Sequence, residues 1–98
     1  FYRSKIQKGL IHYYLKNFDI SLNYFKEIID SGRKDEIFVR ALLNYGSISL
    51  KSDKNIYKEQ AAQIFQNIID EKGFEKAKIK ENLKNELKSI AHFNLAQI

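Results

Sequence analysis

The chain has 98 residues, enough for one domain, and carries no Cys, Pro, Met or Trp. Without Cys there is no disulfide, thiolate nucleophile or Cys-based metal site, and no apolar run reaches the roughly 20 residues that a membrane-spanning helix needs. The net charge of +5 comes from lysines spread among Glu and Asp, with three Arg, which fits a solvated helix surface better than a nucleic-acid groove.

The absence of Pro, with four Gly, predicts a chain that is nearly all helix. Arg3 to Leu15 reads as a first helix, with Ile6, Leu10, Tyr13 and Tyr14 on one stripe. Gly9 lies off that stripe. A Gly inside a helix costs about 1 kcal/mol against Ala, so its presence points to a close helix contact there. Asn17 is expected to cap a second helix, Phe18 to Ser31, whose buried stripe is Leu22, Phe25, Ile28 and Ile29. Ser21 sits one turn before Phe25 as a small residue at a close contact, and Gly32 is expected to end the helix in a left-handed conformation.

Asp35 opens a third helix to about Leu50, with Phe38, Ala41, Leu42, Tyr45, Ile48 and Ser49 at helical spacing and Gly46 inside it. Asn55 is expected to cap a fourth, Ile56 to Glu71, with Ala61, Ile64, Phe65 and Ile68 inward and Gly73 ending it. Residues 74–98 read as one long helix with a stripe of Ile79, Leu83, Leu87, Ile90, Asn94 and Ile98. Its early, highly charged half is expected to project into solvent or to cover an end.

Two stretches repeat. Phe25, Ile28, Ile29 and Asp30 return with the same spacing as Phe65, Ile68, Ile69 and Asp70, about forty residues later. A period of this size is the signature of stacked helical repeats. In detail the pattern resembles the tetratricopeptide repeat. The first unit, about 3–32, carries Gly9, His12 where Tyr is usual, Ser21, Phe25, Ile28 for Ala and Arg33 for Pro. The second, about 35–73, carries Tyr45-Gly46, Ser49, Ala61, Phe65 and Ile68, with about three extra residues between its helices. A third begins at Asn94-Leu95-Ala96, and Asn44 and Asn94 precede equivalent positions. The resemblance implies an all-α right-handed superhelix of antiparallel helical hairpins, about two and a half repeats and five helices in a single domain over 1–98. The start at Phe1 and the stop inside an apolar-periodic segment predict a fragment of a longer protein. Heavy use of Lys, Ile and Asn suggests an AT-rich, bacterial genome. The compartment is not readable.

No catalytic site is expected. The two histidines, His12 and His92, are far apart, no Gly-rich phosphate loop or nucleophile constellation occurs, and Asp30 and Asp70 read as equivalent surface positions. Neither a metal nor a cofactor is implied. What the resemblance implies is a non-catalytic scaffold that binds a protein or peptide segment, amphipathic or apolar, along a concave surface. That surface would be lined by Arg3, Ile6, Leu10, Tyr13 and Tyr14, then Arg40, Leu43, Ser47 and Leu50, then Ile90, Phe93 and Gln97. The carboxylate clamp of some members is broken here, with Ile6, Leu10 and Ile90 in three of its places and Asn44 left. Tyr13 and Tyr14 are the expected anchors, the competing reading being that they pack between units. Two other functions stand beside the scaffold: an oligomerisation module whose groove is filled by its own last helix or a second copy, and an anion- or nucleic-acid-binding helical domain.

Overall fold

The computed structural model describes residues 2–51 and 55–98, with the side chains of residues 2 and 56 left aside. The chain is all-α. Its helices are α1 (Tyr2–Tyr14), α2 (Phe18–Ile29), α3 (Glu36–Lys51), α4 (Asn55–Ile69) and α5 (Glu81–Ala96), with a short 3-10 turn at Lys76–Lys78 and no strand among the described residues.

Successive helices pack on one another, and α1 also touches α3, as α3 touches α5. The thinnest dimension is 19 Å. A helix with its side chains is about 10–12 Å across, so the helices form two layers, with α1, α3 and α5 in one and α2 and α4 in the other.

Each hairpin closes on a Gly–Phe contact. A Cβ at Gly9 would lie 2.8 Å from the Phe25 ring, and one at Gly46 would lie 2.8 Å from the Phe65 ring. Only Gly allows the backbone to come that close. Both rings are fully buried. In the first hairpin the buried Ser21 hydroxyl adds a hydrogen bond, donating to the Gly9 carbonyl at 2.6 Å.

The core forms two clusters. One gathers Leu22, Phe25, Ile28, Ala41 and Ile48, with Ile6, Leu10 and Tyr13 of α1 packed against it. The other gathers Phe38, Val39, Leu43, Ala61, Phe65, Ile68, Ile79, Leu87 and Ala91. α3 contributes to both, so it is buried on two sides.

Several expectations need correction. Residues 74–98 are not one helix: α5 starts at Glu81, and residues 74–80 form a bent segment in which Ile79 is buried and Phe74 packs on the core. The segment is held to the core at Phe74 and Ile79, while residues 75–78 and 80 stay exposed. Its entry is fixed by a backbone bond from the Glu75 N–H to the Lys34 carbonyl, 2.8 Å. Gly73 does not stop α4, although its φ is positive. Glu71 does, in the left-handed region at φ 58, with the Lys72 N–H donating to the Asn67 carbonyl at 2.9 Å. Lys16, at φ 62, ends α1 in the same way. Gly32 does take a left-handed φ, 88°, after α2. Asn17 occupies the N-cap of α2 but makes no capping hydrogen bond, its amide lying 3.4 Å from His12 Nδ1 instead. Asn55 is itself the first residue of α4, and the position before it lies outside the described residues. Asp35 does cap α3. Its Oδ1 accepts from the Phe38 N–H at 3.4 Å and from Arg33 Nε at 3.2 Å. Burial pushes its carboxyl up, but these bonds and the Arg33 charge outweigh it and hold the group below the usual carboxylate range.

Candidate binding surface

The layer of α1, α3 and α5 carries the residues expected to line a groove. The structure divides ten of the twelve into three groups, with Leu43 and Arg40 apart from them. Ser47, Leu50, Phe93 and Gln97 come together around one cavity of about 450 Å³, with Lys51, Lys58, Asn94 and Ile98 completing its walls. Arg3 and Tyr14 are exposed on α1, Tyr14 by 76%, and Ile90 is exposed on α5. Ile6, Leu10 and Tyr13 are half-buried against the core.

Leu43 is a correction. It is buried in the core cluster shared by α3, α4 and α5, so it supports the surface from beneath and does not line it. Tyr13 and Tyr14 part company as well. Tyr13 packs against Phe18, ring centroids 5.9 Å apart, and faces the core, whereas Tyr14 points outward. Of the two, Tyr14 is the accessible one. Arg40 is half-exposed and is tied to Glu36 one turn earlier, Nε to Oε1 at 2.8 Å. Asn44 spends an amide proton on its own helix, Nδ2 donating to the Arg40 carbonyl at 3.0 Å. What remained of the carboxylate clamp is thus engaged internally.

The cavity lies where α3 and α5 end and α4 begins. Its lining mixes apolar surface from Leu50, Phe93 and Ile98 with hydroxyl and amide groups from Ser47, Asn94 and Gln97. The only charges among the described lining residues are the ammonium groups of Lys51 and Lys58. Phe93 is 67% exposed, a large apolar surface left open among the described residues. Lys51 also stands 6.0 Å over the Tyr13 ring, which carries the positive edge of the cavity towards α1. Lys51, Lys58, Asn94 and Ile98 were missed in the sequence. Lys58 could not have been found there, because it belongs to the layer assigned to the other side.

A second, smaller cavity of about 180 Å³ lies between α2 and the α3–α4 hairpin, lined by Asp19, Leu22, Asn23, Lys26, Tyr45 and Tyr57. Burial, then the neighbouring Tyr57 and Asp30, pushes the Tyr45 phenol up, so it stays protonated there. No group of three or more His, Cys, Asp or Glu that could hold a metal occurs among the described residues, and none of the described helices is long and apolar enough to cross a membrane. His12 stacks on Tyr24, centroids 5.6 Å apart, as a packed side chain. Comparisons with protein-family models, with curated proteins and with solved structures return no match to this chain.

Proposed function

We propose that this chain is a non-catalytic, tetratricopeptide-like scaffold that binds a peptide segment of another protein along its α1–α3–α5 layer. The observation that carries the reading is the cavity in which Ser47, Leu50, Phe93 and Gln97 meet. It offers a recess in which apolar side chains stand beside hydroxyl and amide groups, a composition that suits a peptide segment. Tyr14 and Phe93 supply exposed aromatic area at opposite ends of the layer, and aromatic rings are efficient anchors because they lose few rotamers on binding.

The test is selection from a displayed random 12-residue peptide library on the intact chain. Peptides with an apolar or aromatic residue are expected to be enriched and to lose binding when Phe93→Ala or Gln97→Ala replaces the wild type. Both side chains are exposed, so the fold survives these changes. Enriched peptides that bind both variants as well as wild type, or no enrichment at all, would sink the reading. A second reading, self-association, is favoured by the exposed Ile11 of α1, Leu15 just after it and Phe93 of α5. Light scattering over a concentration series separates it, since a lone scaffold holds a steady mass of 11.6 kDa.

A further inference from the structure

The first two hairpins show how this chain seats one helix on another. Gly9 takes the Phe25 ring and Gly46 takes the Phe65 ring. Four residues before each ring a small residue is wholly buried, Ser21 or Ala61, and three residues after it an Ile is, Ile28 or Ile68. The seat therefore has a template. One helix offers a position with little or no side chain. The other brings small-x-x-x-Phe-x-x-Ile.

α5 repeats the receiving half. Its register on α3 is set by Asn44 and Asn94, each donating from Nδ2 to the carbonyl four residues back. In that register Ala91 matches Ala41, and both are wholly buried against the preceding hairpin. Ser89, Phe93 and Ala96 match Val39, Leu43 and Gly46. On α3 these three are buried under α4 and α5, and on α5 all three are exposed. Ala96 is thus a small residue in the place where Gly46 takes its Phe, and its single methyl group seats an incoming ring farther out than Gly46 does.

We infer that this face of α5 docks an amphipathic helix of a partner protein bearing the same small-x-x-x-Phe-x-x-Ile pattern, with its Phe set over Ala96. The incoming helix runs antiparallel to α5, as α2 does to α1, so its first turn falls beside the C-terminal end of α5. Lys51 and Lys58 stand at that end, and no acid is among the described residues lining the cavity there. An acid in the first turn of the partner complements them and the helix dipole together. α2 itself has this feature in Asp19. The inference rests on the same surface as the peptide pocket proposed above, since Phe93, Lys51 and Lys58 belong to both, whereas Ser89 and Ala96 lie outside the pocket lining and separate the two in the test.

A peptide of residues 17–30 carries the whole pattern and provides the probe. A lactam between Lys26 of α2 and Asp30 at its C-cap, both exposed, holds it helical, and a fluorescent label reports anisotropy on titration with the intact chain. Saturable binding is expected, weakened at least tenfold by Phe25→Ala in the peptide and several-fold by Asp19→Asn. Ala96→Leu in the protein fills the seat and is expected to weaken binding at least tenfold, with the circular dichroism of the fold unchanged. Arg3→Ala with Tyr14→Ala leaves it unchanged, which separates this face from the groove. Absence of saturable binding, or equal binding to the Ala96→Leu chain, overturns the inference. So does a concentration-dependent dimer that Ala96→Leu abolishes, since the occupant is then a second copy.

Discussion

The α1–α2 and α3–α4 hairpins are built on one contact and differ in their surroundings. Each sets a Phe against a helical Gly. Two residues past each Gly stands an Ile. Ile48 in α3 is 3% exposed, and Ile11 in α1 is 56% exposed. The residue and its place in the hairpin are the same. What differs is that α3 has helices on both sides, while the outer side of α1 has none among the described residues. In these two hairpins burial is decided by the neighbouring helix as much as by the residue's own.

The sharpest way to break this comparison is to remove the rings. Phe→Ala in a core costs about 3–5 kcal/mol, a large part of the roughly 5–15 kcal/mol available to a domain. Phe65→Ala is expected at the upper end, because the cluster around Phe65 joins α3, α4 and α5. Phe25→Ala is expected to be milder, since α1, its covering helix, has an open outer side. Urea denaturation followed by circular dichroism measures both. Equal losses would mean that the end hairpin is as tightly held as the central one.

Adding a methyl group at the two glycines is the next largest change. Gly→Ala gains about 1 kcal/mol of helix propensity, but the new Cβ meets a buried ring at 2.8 Å. Overpacking costs roughly 1–3 kcal/mol. Gly46→Ala is expected to lose about 0–2 kcal/mol net by these figures, and Gly9→Ala less, because α1 can shift outward. A rise in melting temperature for Gly46→Ala would show that the Phe65 ring gives way.

The same contrast explains what the sequence made legible. Phe25 and Phe65 stood out because their spacing repeats, and the first four helices follow because apolar periodicity and Gly positions mark them. Val39, Leu43 and Ala91 were missed as core. A periodic stripe names one buried face and is silent on a second neighbour. Ile90 and Ile98 were overread as part of a buried stripe for the converse reason, being apolar at the right spacing but exposed. The break at 74–80 was hidden because no Pro marks it. At the candidate surface, Ser47, Leu50, Phe93 and Gln97 followed from repeat equivalence, whereas Lys58 required knowing which helix ends meet.

The smallest effect concerns how the two second-layer helices end. After α2 the left-handed residue is Gly32, whereas after α4 the chain takes a positive φ first at Glu71 and again at Gly73. A non-Gly residue there carries backbone strain, and the Glu71 side chain offsets it with charge. Lys84 Nζ lies 3.0 Å from Oε1, and Lys76 and Lys88 lie 3.5 Å from Oε2. The Lys80–Lys84–Lys88 series, a run of like charges in sequence, thus turns two of its members onto one carboxylate and ties α5 to the end of α4. The close Lys84 ammonium chiefly, over the opposing cost of burial and with help from Lys76 and Lys88, holds the Glu71 carboxyl below the usual range. Glu81 and then Glu71 raise Lys84 in return. A carboxyl lowered by folding contributes stability above its unfolded pKa and loses it as pH falls through the lower, folded value. The Glu71 contribution is therefore full at neutral pH and disappears on acidification below the usual glutamate range. Glu71→Gln keeps the backbone strain and removes the charge, so it is expected to lower the urea midpoint at pH 7 and to flatten its acid limb. Some slope remains, because Asp35 is lowered in the same direction, and Asp35→Asn added to Glu71→Gln is expected to remove more of it. If Glu71→Gln leaves the acid limb as steep as wild type, the lysines solvate the carboxylate without holding α5 to α4.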